Sequence, residues 1–126
     1  MSFYLDHEKL DVYRCAIQFV VLADEIVDNL PRGRAYIADQ LRRAASSISL
    51  NIAEGAGEYA PSEKARFYRM AKRSATESAS VLDILQHLHL IDDGIFSRAK
   101  ESLARIVAML IKMIQGLGKM DPFQSS

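Results

Sequence analysis

The stretch Glu8–Leu30, EKLDVYRCAIQFVVLADEIVDNL, decides how the chain folds. Neither Gly nor Pro interrupts it, and Pro31 and Gly33 follow directly. It therefore reads as one helix over about residues 8–29, with Asp6 as its cap and Pro31 as its stop. At 100° per residue, Asp11, Arg14, Gln18, Glu25 and Asp28 share one narrow polar stripe. Val12, Cys15, Ala16, Ile17, Phe19, Val20, Leu22, Ala23, Ile26, Val27 and Leu30 fill an arc of roughly 220°. An outer bundle helix needs an apolar arc of about 100° or slightly more. Either copies of the chain cover the surplus, with Val12, Ala16, Phe19, Val20, Ala23, Ile26 and Val27 as the oligomer interface, or this helix is the central one of a lone subunit. The first is the expectation here.

Outward from this stretch, breaks at Leu30–Gly33, Gly55–Pro61, Asp92–Gly94 and Gly116–Gly118 leave three more uninterrupted segments. They predict helices over about 34–54, 62–90 and 93–115, with Ser62 capping the third, Asp92 or Asp93 capping the fourth and Gly116 stopping it. Ile37, Leu41, Ala44, Ala45, Ile48 and Ile52 recur at helical spacing in the second. The third has a stripe of small residues, Ala71, Ser74, Ala75 and Ser78, beside Phe67, Leu82, Leu85 and His89, that lets a neighbouring backbone come close. Short connections between long helices predict an all-α, antiparallel up-and-down four-helix bundle, one domain over residues 1–126 with a frayed tail at about 119–126.

Composition narrows the function. The 126 residues are 49% apolar and carry one cysteine, so no intramolecular disulfide or cysteine-based zinc cage is expected, and a reducing cytoplasm fits best. No apolar run approaches the roughly 20 residues that span a bilayer, and no export signal is visible, so no membrane partner is expected. Glu-x-x-His is absent, and His87 and His89 lie two residues apart on a helix and point in different directions, so no metal is expected. Cys15 sits on the apolar arc, where burial suppresses ionisation. Ser46, Ser47 and Ser49 have no histidine near them in sequence, and the Gly55-Ala56-Gly57 run lacks the lysine of a phosphate loop. A non-enzymatic protein without cofactors is the expectation.

Two patterns remain. Arg43, Ser47, Asn51 and Glu54 form a polar column beside the apolar stripe of the second helix, either solvated or a structural network at a helix or subunit contact. Sixteen Lys and Arg balance sixteen Asp and Glu, but unevenly: the first 30 residues hold six acids and two bases. Lys64, Arg66, Arg69, Lys72 and Arg73 fall within ten residues, with Arg42 as a further member, and form either a solvated face partly neutralised by Glu77 or a candidate surface for a polyanion or an acidic partner.

Leu10–Tyr13, Gln40-Leu-Arg-Arg-Ala-Ala45, Ser47-Ile48, Asn51-Ile-Ala-Glu-Gly55, Gly57 and Phe67–Ala71 with Ser74 and Glu77 closely resemble the bacterial four-helix-bundle proteins first noticed as reading frames in intervening sequences of 23S ribosomal RNA genes. The resemblance covers about residues 8–115. It implies an up-and-down subunit assembled as a ring-like homopentamer, without known catalysis. A related group, the accessory proteins of diversity-generating retroelements, implies an alternative: binding to a reverse transcriptase and to nucleic acid through the basic helix face. Glu58, Arg73 and Ala79 depart from the pattern, and the zero net charge departs from the basic character of that group.

Overall fold

The computed structural model describes residues 5–120, leaving out the side chains of 8, 9 and 120. A short 3-10 turn, Asp6–Lys9, leads into four helices: α1 Asp11–Asp28, α2 Ala35–Gly57, α3 Pro61–His87 and α4 Asp93–Met120. Among the described residues there is no strand. Each helix packs against its sequence neighbours, and α1 meets α4 to close the circuit. With connections this short, successive helices run antiparallel.

The helix ends show which local signals prevail. α1 starts after Leu10, whose extended backbone lets its carbonyl accept from Tyr13 and Arg14. Asp6 opens the 3-10 turn and caps nothing in α1, and His7 is anchored there with its ring edge-on to Tyr13 at 4.5 Å. α3 begins at Pro61, and Ala60 takes the extended conformation required before proline. Ser62 is consequently inside the helix and does not cap it. Asp92 does cap α4, accepting from the Ile95 N–H at 3.1 Å. Gly116 does not stop α4, because Met113, Ile114 and Leu117 pack on the core and carry the helix through it to Met120. Lys119 and Met120 are therefore helical, and residues 1–4 and 121–126 of the expected domain and tail lie outside the described residues.

α3 stops at His87, short of the expected residue 90. The Leu90 N–H reaches back to the Leu85 carbonyl at 2.9 Å and the His89 N–H to Gln86 at 3.0 Å. This is a Schellman closure, with His89 at φ 57 in the position that favours glycine. His89 is exposed, although its spacing extends the buried stripe of α3.

The core runs the length of the bundle: Phe19, Ile37, Leu41, Ile48, Ile52, Leu82, Leu85, Ile106 and Leu110 are its large, fully buried side chains. α2 and α3 make the closest contact. Ala45, Ala71, Ala75 and Ser78 are fully buried there, and a Cβ on Gly55 would fall 2.6 Å from the ring of buried Tyr68. α2 thus continues through Gly55 to Gly57, past the expected end at 54, because the absent side chain makes room for Tyr68.

Gly55→Ala should lower stability by about 1–3 kcal/mol, since displacing a buried ring outweighs the helix propensity gained. His89→Gly should raise stability by about 1 kcal/mol by relieving the left-handed backbone. Thermal unfolding followed by circular dichroism measures both shifts, with opposite signs.

Candidate interaction surfaces

The apolar arc of α1 is divided by the fold. Val12, Ala16, Phe19, Ala23, Ile26 and Val27 face the core of their own subunit, with Phe19 at 0% exposure, and Val20 is half-buried. This corrects the expected interface. A row at i, i+3, i+4 and i+7 can point in only one direction, and here it points between α2 and α4. What the subunit does not cover lies on the flank: Ile17 is 40% and Val21 54% exposed.

Val21 was hidden from the sequence reading because it falls within the polar stripe, between Gln18 and Glu25. Its place in that stripe was the available signal. Together with Cys15, Ile17, Leu22 and Glu25 it lines one wall of an open groove of about 490 Å³ whose other wall is Arg98, Glu101, Ser102 and Arg105 of α4. A second hollow continues from Leu22 and Glu25 to Leu90, Ile91 and Ile95. The α1–α4 seam is the loosest of the four helix contacts, which is why the groove opens there.

On the opposite side, α2 and α3 expose a second set of apolar side chains. Leu50 is 64% exposed and lies near the level of exposed Met70, while Tyr36 and Ile84 are exposed at the other end of this face. Between them the polar column is partly built. Ser47 Oγ accepts from Asn51 Nδ2 at 3.0 Å and from Ser74 Oγ at 2.9 Å, so the column does join two helices. Ser78 Oγ donates to the Ser74 carbonyl at 2.9 Å. Arg43 and Glu54 are not in this network; both face solvent, and Arg43 lines a hollow with Gln40, Ser47 and Glu77.

The members of the basic cluster differ in their surroundings. Lys64 is half-buried, its ammonium donating to the carbonyls of Ala56 at 2.9 Å and Gly55 at 3.3 Å, where it closes the negative end of α2. Arg66 is paired with Glu63 at 3.0 Å and lies over the Phe67 ring. Arg42 reaches across to Asp24 and Asp28 of α1, 3.6 Å from each. Arg69, Lys72 and Arg73 have no carboxylate within ion-pair distance among the described residues. Three of the six expected cations are therefore already engaged inside the subunit, Arg66 by a carboxylate three residues away on its own helix and Lys64 and Arg42 by groups on neighbouring helices.

Other candidate groups resolve into structural roles. His87 pairs its Nδ1 with the Asp83 carbonyl at 2.9 Å, and Lys100 pairs with Asp83 at 2.7 Å, tying α3 to α4. Burial pushes the Tyr68 phenol above its usual range. No described helix is long and apolar enough to cross a membrane.

The model of the 23S rRNA-intervening sequence protein family matches residues 8–112, nearly the whole described bundle. The chain belongs to that family. Its fold is similar to the crystal structure of a protein of unknown function from the S23 ribosomal protein family of Bacteroides thetaiotaomicron, with a TM-score of 0.77. The two are 20% identical, and the match covers 82% of this chain and 98% of the other. No curated protein matches the chain. Membership of the 23S rRNA-intervening sequence protein family thus brings the four-helix fold and leaves the activity to be argued from the surfaces.

Phe19→Asp should unfold the subunit outright, because it places an unpaired carboxylate in the core at a cost of several kcal/mol. Circular dichroism would show the loss of helix directly. A folded, fully helical variant would contradict the placement of Phe19.

Proposed function

We propose that the protein is a non-enzymatic interaction module that assembles with copies of itself, in the ring of five that the family resemblance implies. One observation carries the reading: apolar side chains are exposed on two opposite faces of the bundle, Ile17 and Val21 at the α1–α4 seam and Leu50 and Met70 on α2 and α3. Single exposed aliphatics are ordinary, but facing sets on a 126-residue subunit are what a head-to-tail contact between unlike faces needs, and such contacts generate rings when the rotation closes. Absence of a strong net charge fits this reading, since it leaves association to short-range contact. A cytoplasmic setting, with a single cysteine left free, belongs to the same proposal.

The alternative, a nucleic-acid-binding accessory protein acting with a reverse transcriptase or an RNA partner, retains Arg69, Lys72 and Arg73, which have no carboxylate within ion-pair distance among the described residues. Exposed Glu54 and Glu77 accompany Arg43 and Arg73 on the same side and oppose a phosphate backbone. The self-assembling module is the better supported of the two.

Light scattering behind size exclusion tests it. The expected mass is a multiple of 14.1 kDa, near fivefold for the ring. Val21→Asp and Leu50→Asp should keep the helical spectrum and the melting temperature within a few degrees while lowering that mass. A mass of one subunit at all micromolar concentrations would overturn the proposal.

A further inference from the structure

Charge alternates around the circuit of helices at one height of the bundle. Arg42 meets Asp24 and Asp28, so the next residue of α2, Arg43, lies level with Glu25 of α1. Glu77 of α3 lines the same hollow as Arg43, and Arg98 of α4 lines the same groove as Glu25. From α1 to α4 the exposed residues at this height therefore read acid, base, acid, base. None of the four makes an ion pair within its own subunit among the described residues.

This order bears directly on how unlike faces meet. The helices form a closed circuit, so a second copy can stand level and in the same direction, its α1–α4 side against the α2–α3 side of the first. That placement sets α1 against α2 and α4 against α3. Glu25 then faces the partner's Arg43, and Arg98 faces the partner's Glu77.

Helix rise carries the match down the contact. Leu50 is about 10.5 Å along α2 from Arg43, between the levels of Val21 and Ile17, about 6 and 12 Å along α1 from Glu25. On the other helix pair, Arg73 is about 6 Å from Glu77 and Glu101 about 4.5 Å from Arg98, again base against acid. Met70 and Arg105 are each about 10.5 Å along, which lays the aliphatic stem of the arginine against the thioether. At the far end Arg14, paired with Asp11 in its own subunit, comes level with the partner's exposed Glu54.

We infer that the α1–α4 groove of one copy binds the α2–α3 face of the next in parallel and without axial offset, its register fixed by Glu25–Arg43, Arg98–Glu77 and Glu101–Arg73 around Ile17, Val21 and Leu50; this rests on the self-association proposed above. Apolar contact favours association at several registers, and the charges select one of them. A slide of one helical turn, about 5.4 Å, sets Arg98 against Arg73 in one direction and Glu25 against Asp39 in the other. Because the paired residues are level, no rise accumulates from copy to copy. The succession of copies then closes into a ring instead of winding into a filament.

The test uses the full chain at low ionic strength with Glu25→Arg, Arg43→Glu and the two changes together, both at exposed positions. Glu25 and Arg43 lie on opposite sides of one subunit, so recovery in the double variant acts only between copies. Arg98→Glu with Glu77→Arg is an independent second exchange. Sedimentation equilibrium should show the concentration for half-assembly raised roughly tenfold in each single variant and returned to within about threefold in each double, with the helical spectrum unchanged. Single variants that associate like the unaltered chain would overturn this register while leaving self-association intact. Weakening without recovery in either double variant would overturn the pairing of these charges. An unaltered chain that sediments as a single subunit throughout would overturn the inference and the proposed function together.

Discussion

The close approach of α2 and α3 is the constraint on which the rest of the subunit depends. The Ser47–Ser74 bond of 2.9 Å spans the two helices, and small side chains line the contact on both sides. Tyr68 closes one end by lying where Gly55 has no side chain. With this pair set, α1 can bury one row of its arc only against α2 and α4, so Phe19 and Ile26 are drawn to the centre. The flank carrying Ile17 and Val21 is left at the seam. Tight packing on one side of the bundle thus accompanies an open groove on the other.

The charged residues follow the same geometry. Arg42 meets the acids of α1 because α1 and α2 are neighbours, and Lys64 meets the end of α2 because the α2–α3 connection is only a few residues long. These contacts are partly solvated and individually worth little to stability. Their importance lies in removing cations from the surface. What remains exposed is a mixed surface with local order, and local order acts through contact at short range, within a screening length of about 8–10 Å. Short-range contact with another copy suits such a pattern better than gathering a polyanion from a distance.

Family membership adds the fold and no chemistry. The similar structure from Bacteroides thetaiotaomicron shares a fifth of its residues with this chain, enough for the four helices to superpose and too few to carry a role from one to the other. The functional reading therefore stands on surfaces particular to this sequence, above all on Val21 within an otherwise polar stripe and on Leu50 on the opposite face.

The number and order of the helices, and the core face of α2, were written in the chain. Proline and glycine punctuate it, and apolar residues recur at three and four, which are local properties that survive folding. The helix ends were less legible. Tertiary packing carried α4 past Gly116 and α2 through Gly55, and Pro61 took the start of α3 from Ser62. The width of the apolar arc on α1 was equally plain, but periodicity measures how much surface is apolar and says nothing about which neighbour covers it. Only the packing of α1 against α2 and α4 decided that Phe19 belongs to the subunit's own interior and Val21 to its surface. The basic residues divide in the same way: the Arg66–Glu63 pair sits at a spacing of three within one helix, whereas the partners of Arg42 and Lys64 come from the packing of neighbouring helices.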